Sequence, residues 1–174
     1  MFQTERLTLR RWIAEDFEPF AELHADPAVA QFVTAGGKPL GRFQAWQSFC
    51  GLLGHWQMRG FGMFAVIETA TDEFVGRVGP WNPEGWPSPE IGWAIRSKFW
   101  GRGYASEAAR RSVEYAFTTL DWSQVSSFID PTNARSIKVA ERLGEHLSGS
   151  VILPDIPTRT IMNYVLNKSE WESR

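Results

Sequence analysis

The sequence predicts an α/β protein built on one mixed sheet. Short runs rich in branched and aromatic residues are separated by stretches in which apolar residues recur at helical spacing. Their order is β, α, α, β, β, β, α, β, α, β, β. Strands and helices alternate only in the second half, so we expect parallel as well as antiparallel neighbours. With 174 residues, 43% of them apolar, and no linker or repeat, residues 1–174 are expected to form one domain with a substantial core.

The first half is predicted to supply three strands and two helices. Alternating apolar and polar residues indicate a strand at 7–11, and apolar runs at 61–69 and 74–79 indicate a hairpin. A helix begins at Ala14 and stops at Asp26-Pro27, because proline disfavours helical angles in the residue before it. A second helix is predicted over 40–58, with an inner apolar face that includes Phe43, Trp46, Phe49, Cys50 and Leu53.

The central stretch predicts a strand at 90–95, a glycine loop at 100–105 and a helix that starts at Ala105. The inner face of this helix is small, so it can lie close on the sheet: Ala105, Ala108, Ala109, Ser112, Val113 and Ala116. The second half adds a strand at 124–129 and a helix capped by Thr132 or Asn133 that ends at Gly144. Two last strands are predicted at 145–153 and 158–166.

Composition argues against several classes of partner. A net charge of -2 gives no overall attraction to nucleic acid or to an anionic membrane. The start of the chain does not have the pattern of a secretory signal, and no apolar run is long enough to span a bilayer. A single cysteine, Cys50, fits a reducing, cytoplasmic setting. Nine tryptophans indicate an aromatic-lined cleft or, alternatively, a partner surface such as that of a homodimer.

The glycine loop is a candidate phosphate site. Unpaired N–H groups at a helix N-terminus attract anions, and Gly101 and Gly103 leave their backbone open to close approach. The loop lacks both the Lys-Ser/Thr pair of a P-loop and the third glycine of the dinucleotide fingerprint, so a plain tight turn is the alternative. His24, His55 and His146 do not have metal-ligand spacing, and no metal is predicted.

Three stretches, in order along nearly the whole chain, resemble the GNAT acetyltransferase superfamily. Trp100-Gly101-Arg102-Gly103-Tyr104-Ala105 is similar to its acetyl-CoA pyrophosphate loop, Arg/Gln-x-x-Gly-x-Gly/Ala, with Trp100 in place of the first polar residue. Asn133-Ala134-Arg135-Ser136, running to Leu143-Gly144, resembles the next motif. The opening Thr4-Glu5-Arg6-Leu7-Thr8-Leu9-Arg10 resembles the branch that acetylates ribosomal-protein N-termini, the RimJ/RimL-like enzymes.

This resemblance implies a GNAT-like fold of about seven strands and four helices. The fourth and fifth strands, 90–95 and 124–129 here, would splay apart and hold acetyl-CoA between them. Carried over to this chain, the resemblance implies three sets of cofactor-binding residues. They are the backbone groups of the strand at Trp93, Ala94 and Ile95; the loop residues Gly101, Arg102, Gly103, Tyr104 and Ala105; and Asn133 with Arg135. An ordinary internal strand and a simple Asn133 helix cap are the alternatives.

The resemblance also implies acetyl transfer to an amine by direct attack. Glu90, at the head of the central strand, is the candidate base, and Ser136 the candidate proton donor to the leaving thiolate. Trp81 and Trp86 are expected to contact the acceptor from a proline-stiffened loop. Ala140 stands where many relatives have an acidic tyrosine, which keeps open the alternative of a non-catalytic acyl-CoA-binding sensor. The acceptor is either a protein or peptide N-terminus or a small amine.

Overall fold

The computed structural model describes all 174 residues and contains one eight-stranded mixed sheet in the order β1-β2-β3-β4-β5-β6-β8-β7. The strands are β1 Phe2–Gln3, β2 Leu7–Arg10, β3 Phe64–Glu68, β4 Glu73–Trp81, β5 Glu90–Ile95, β6 Gln124–Ile129, β7 His146–Leu153 and β8 Ile156–Asn167. The helices are α1 Phe17–Ala25, α2 Pro27–Val33, α3 Arg42–Arg59, α4 Tyr104–Thr118, α5 Ala134–Leu143 and α6 Lys168–Glu172. The predicted mixed α/β architecture is confirmed.

The sheet has one more strand, and the chain two more helices, than the sequence patterns predicted. β1 is two residues long and α6 five, too short for periodicity to detect. α2 is a helix in its own right because Asp26 caps it: the Ala28 N–H donates to Asp26 Oδ1 at 2.9 Å, and Pro27 occupies the first turn.

The sheet is covered on both faces, and each face has its own apolar core. α4 packs on one face through small residues, and Ala108, Ala109 and Ala116 are fully buried there, as the spacing predicted. α1 and α3 cover the other face, where the core includes Phe20, Leu23 and Phe49. None of the helices combines the length and the hydropathy needed to cross a lipid bilayer.

The predicted inner face of α3 is wrong except at Phe49, which is buried as predicted. The helix buries Ala45, Phe49, Leu52 and His55, a stripe rotated from the predicted one. Phe43 is 69% exposed, and Trp46, Leu53 and Cys50 are exposed as well. α3 carries apolar residues on two adjacent stripes, and periodicity alone does not tell which stripe meets the sheet.

β5 and β6, the only parallel neighbours, separate almost as soon as they meet. Their ladder consists of one residue pair, Glu90 and Ser126. The Ser126 N–H donates to the Pro89 carbonyl at 2.9 Å, and the Ser88 and Ser126 hydroxyls lie 2.8 Å apart. We call this single meeting point of β5 and β6, at Pro89, Glu90 and Ser126, the fork. Beyond it the strands diverge, which confirms the predicted splay and opens a gap along β5.

Candidate active site

Two cavities meet at the gap along β5. The first, which we call the glycine-loop cleft, has a volume of about 530 Å³ and lies between β5, the start of α4 and α5. The second, the tryptophan cavity, has a volume of about 360 Å³ and lies between α2, α3, β4, β5, β6 and the turn joining β7 to β8. Five residues line both cavities: Phe32, Val33, Trp93, Asn133 and Ser136.

The glycine-loop cleft presents a row of free backbone donors. No N–H from Gly101 to Ser106 donates a hydrogen bond within the protein; the first that does is that of Glu107, to the Gly103 carbonyl at 3.1 Å. Gly101 and Gly103 have φ angles of 80° and 83°, which glycine adopts without strain. These donors stand at the N-terminus of α4, where the helix dipole also favours an anion.

The opening segment of the chain holds this loop in place. The Arg6 guanidinium donates to the Arg102 carbonyl at 2.9 Å and to Glu107 Oε2 at 2.8 Å, and it lies over the Tyr104 ring. Burial opposes ionisation of Glu107, but hydrogen bonds from Thr4 and Arg6 outweigh it and lower the pKa of this carboxyl. The ion pair therefore ties the first two strands to the glycine loop.

Basic residues surround the rest of the cleft. Arg135, Lys138 and Arg142 line it from α5, and the Arg135 guanidinium lies 4.3 Å from the Trp100 ring centre. Trp100, which departs from the family motif, also donates its indole N–H to the Ile95 carbonyl at 2.9 Å. The Arg102 guanidinium lies 3.7 Å from Glu68 Oε1, so part of its charge is already balanced within the protein.

The edge of β5 exposes backbone groups at alternate residues. Ser127 Oγ lies 3.0 Å from the Ile91 carbonyl oxygen, so the polar groups of Ile91, and by alternation those of Trp93 and Ile95, face the gap. Ala94 was predicted with them, and that prediction is wrong. Its backbone faces β4, where a Cβ on Gly76 would lie 2.1 Å from the Ala94 carbonyl oxygen, and Ala94 lines neither cavity.

Glu90 lies in the tryptophan cavity with its carboxylate folded along β5. Its Oε2 accepts a hydrogen bond from the Trp86 indole at 2.8 Å. A Cβ on Gly92 would lie 3.3 Å from Glu90 Oε1, so glycine at this position makes room for the carboxylate. Burial raises the pKa of Glu90 to about 7 although the Trp86 hydrogen bond lowers it. At neutral pH the group is therefore poised between its two protonation states.

Trp81 and Trp86, the two residues predicted to contact the acceptor, both line this cavity. Trp81 stacks on His55 with ring centres 4.2 Å apart, and Trp86 packs edge-on against Phe128. Each ring is therefore fixed on one side and presents its remaining surface to the cavity.

Ser136 stands where the two cavities join. Its hydroxyl accepts a hydrogen bond from the Trp93 indole at 3.1 Å, and its N–H donates to Asn133 Oδ1 at 3.2 Å. Asn133 thus caps α5 and also lines both cavities. Ala140 is fully buried against Ile129 and Tyr164 and presents no group to either cavity.

Several site residues were missed because they come from distant parts of the chain. Arg77 and Asp155 line the tryptophan cavity, as does the ion pair between Asp130 and Arg159. The one local signal was Arg77, a lone charge inside the apolar run of β4.

Glu145, at the fork, was also missed. It is 5% exposed, and Ser127 Oγ lies 3.0 Å from both the Ile91 carbonyl oxygen and Glu145 Oε1. A serine hydroxyl carries one proton, so a protonated Glu145 allows both contacts to form. Burial raises the pKa of Glu145 to about 8, which agrees with that arrangement.

Comparison with known proteins places this arrangement in a family. Residues 6–146 match the acetyltransferase (GNAT) domain. An acetyltransferase from Agrobacterium tumefaciens str. C58 superposes with a TM-score of 0.83 at 32% identity, over 95% of this chain and 93% of the other. The uncharacterized N-acetyltransferase p20 of Bacillus licheniformis is 29% identical over 84% of this chain and 82% of its own.

The chain also matches, over a shorter stretch, the uncharacterized protein YkkB of Bacillus subtilis (strain 168). The two are 36% identical over 53% of this chain, and the match spans about half of YkkB, 55%. The domain match covers the fork, the glycine loop and α5 together. The chain therefore belongs to the GNAT acetyltransferase family and is an acyltransferase that uses acetyl-CoA.

Proposed function

We propose that the protein transfers the acetyl group of acetyl-CoA to a primary amine bound in the tryptophan cavity, by direct attack in a ternary complex. The observation that carries this proposal is the meeting of two cavities at Trp93, Asn133 and Ser136. One cavity has the donors that a pyrophosphate needs, and the other has the half-buried carboxylate of Glu90, which is suited to an amine. Two substrates bound from opposite sides would bring their reacting atoms together at this junction.

The residues of the glycine-loop cleft fit acetyl-CoA. Free N–H groups from Gly101 to Ser106 and the basic side chains of α5 suit the pyrophosphate, and the exposed polar edge of β5 suits the pantetheine amides. Bound here, acetyl-CoA supplies an activated thioester. All but one of the predicted cofactor-binding residues line the cleft: Trp93, Ile95, Gly101, Arg102, Gly103, Tyr104, Ala105, Asn133 and Arg135.

Glu90 and Ser136 are proposed to move the protons. The amine must lose a proton, and the ionised Glu90 carboxylate accepts it as the C–N bond forms. The backbone N–H of Trp93, which faces the gap, donates to the carbonyl oxygen of the thioester, on which negative charge develops. As the C–S bond breaks, the thiolate receives a proton directly from solvent or from the Ser136 hydroxyl, which regains its proton from solvent, so coenzyme A leaves as the thiol.

Glu90→Gln is the test of this proposal. With a panel of amines, kcat/KM measured from thiol release should rise with pH through about 7 in the wild type, as Glu90 ionises. The variant should lose roughly 10²–10⁴-fold and also lose that inflection. Glu84→Gln, in an exposed part of the same loop, should behave as the wild type.

Two outcomes would contradict the proposal. A wild-type protein that binds acetyl-CoA but releases no thiol with any amine would support the non-catalytic sensor instead. An unchanged pH profile in Glu90→Gln would remove this residue from the chemistry while leaving the transferase activity in place.

A further inference from the structure

Arg77 is a half-buried cation that forms no ion pair, and only the charge of Glu90 acts on it from a distance. It lies on β4, opposite Ala65 of β3 and Ala94 of β5, so its side chain lies on the sheet face covered by α1 and α3. One guanidinium nitrogen contacts the Met63 sulfur, and Nε is buried with no hydrogen-bond partner. No carboxylate lies within ion-pair distance of it, although Arg77 lines the tryptophan cavity. A guanidinium whose Nε is buried without a partner is costly and is expected to meet an anion in the working complex.

The other charges of the cavity leave Arg77 available. Arg159 is already paired with Asp130, whereas Glu90 and Asp155 form no ion pair, although the charge of Arg77 lowers the pKa of Glu90 against the larger effect of burial. His24, the basic residue near Arg77, is kept neutral because burial lowers its pKa to about 3, helped by the Arg77 charge. The cavity therefore has a positive pole at Arg77 and a negative pole at Glu90 and Asp155.

These two poles are close enough to contact one small molecule. Arg77, Gly92 and Glu90 lie on the same face of the adjacent strands β4 and β5. Gly92 is the diagonal neighbour of Arg77, at a Cα separation of about 7–8 Å. The Glu90 carboxylate lies over Gly92, and the end of the Met63 side chain lies there as well.

We infer that the acceptor is a small zwitterion, an amino acid or a close analogue, whose carboxylate binds Arg77 while its amine faces Glu90. This inference rests on the proposed function and deepens it. A simple cationic amine would leave Arg77 unpaired and be repelled by it, and a peptide N-terminus has no α-carboxylate to offer. Guanidinium–carboxylate pairing is also the strong, directional contact that an arginine lining a cavity is suited to make.

Matched acceptor pairs test the inference. Thiol release would be compared for free amino acids, their amides and the corresponding decarboxylated amines, such as tryptophan, tryptophanamide and tryptamine. We expect the free amino acid to be preferred by roughly tenfold or more in kcat/KM, the range of a hydrogen bond to a charged group. A preference for the free amino acid over its amide would oppose their intrinsic reactivity. The α-amine of the amide is less basic than that of the free amino acid, so a larger fraction of it is neutral and able to attack.

Arg77→Met should reduce the preference for the free amino acid to about twofold or less, while thiol release with the decarboxylated amines continues. Arg77→Lys should restore part of the preference. Arg59→Met, which removes a charge from the exposed pair with Glu84, should keep the wild-type ratio. Thermal melting would confirm that the Arg77 variants fold. Equal or faster release with amides or amines in the wild type, or acetylation of peptides alone, would overturn the inference and leave the transferase function standing.

A binding measurement separates the two proposals if no amine reacts. N-acetylated amino acids and their amides can be titrated against the tryptophan fluorescence of the protein, without any turnover. We expect the acid to bind at least tenfold more tightly than the amide in the wild type and equally in Arg77→Met. Equal binding in the wild type would overturn the carboxylate site whatever the thiol assay shows, whereas tighter binding of the acid without turnover would support the site and contradict only the catalytic proposal.

Discussion

The two cavities differ in what they are made of. The glycine-loop cleft offers mainly backbone: free N–H groups before α4 and the polar edge of β5. The tryptophan cavity offers side chains, among them Arg77, Glu90 and Trp86, from strands and loops far apart in the sequence. A site made of backbone groups changes little when side chains are substituted, whereas a side-chain site can change one residue at a time. The contrast suggests that the first site is generic and that the second sets specificity.

Gly103→Glu should break the backbone site with the largest effect. The substituted carboxylate would lie among the donors meant for the pyrophosphate, so acetyl-CoA affinity measured by calorimetry should fall roughly 100-fold or more. The φ angle of 83° also disfavours any side chain at this position. The affinity of the tryptophan cavity for acetylated products should be retained.

A matched control separates charge and bulk at the loop from general backbone strain. Gly60→Glu introduces the same residue at another left-handed position, with a φ of 76° and open space around its Cβ. It should show a similar loss of thermal stability with acetyl-CoA affinity intact. Equal affinity in Gly103→Glu and the wild type would rule out the loop assignment.

The same contrast explains what the sequence could predict. Glycines, a helix start and the Asn133 cap form a local pattern, so the loop and its helix were found, and the nearly complete lining set followed from the family motif. Ala94 was assigned wrongly because a motif gives a stretch of strand, whereas the alternation of backbone groups decides which residues face the gap.

The tryptophan cavity was predicted only in part, through Glu90, Trp81 and Trp86. Arg77 and Glu145 acquire their roles from strands brought together by folding, and no local spacing records those contacts. The misplaced face of α3 has a related cause: Phe43 and Cys50 are apolar by type, but the sheet beneath the helix decided which stripe was buried. Short elements such as β1 and α6 depend entirely on such tertiary contacts.

Glu145→Gln sharpens the comparison at the fork, where Glu145 contacts Ser127 on the border of the tryptophan cavity. In the unfolded chain this carboxyl ionises near pH 4.5, whereas in the folded protein it keeps its proton until about pH 8. Between these values the folded state binds one proton more, so rising pH destabilises it by about 1.4 kcal/mol per pH unit. Glutamine mimics the protonated acid and should remove that slope.

Denaturant unfolding between pH 6.5 and 8 checks this prediction. Below pH 6.5 the buried His24 acts in the opposite direction, because the unfolded chain then takes up a proton that the folded state refuses. The variant should lose only the contribution of Glu145 to the pH dependence of the free energy of unfolding. A smaller dependence should remain, because Glu90 ionises in the folded protein only near pH 7. Parallel stability curves for wild type and variant would mean that Glu145 is ionised in the folded protein.

Trp86→Phe should have the smallest effect, confined to the side-chain site. Phenylalanine keeps a ring against Phe128 but removes the N–H donated to Glu90, a bond that favours the ionised carboxylate. Its loss should raise the pKa of Glu90 above about 7 and move the acidic limb of the kcat/KM profile to higher pH by up to about one unit. Trp81→Phe, whose ring stacks on His55 and makes no bond to Glu90, should leave that midpoint where it is. If both variants shift the midpoint equally, the Trp86 hydrogen bond does not tune Glu90, and the cavity acts on its base through burial alone.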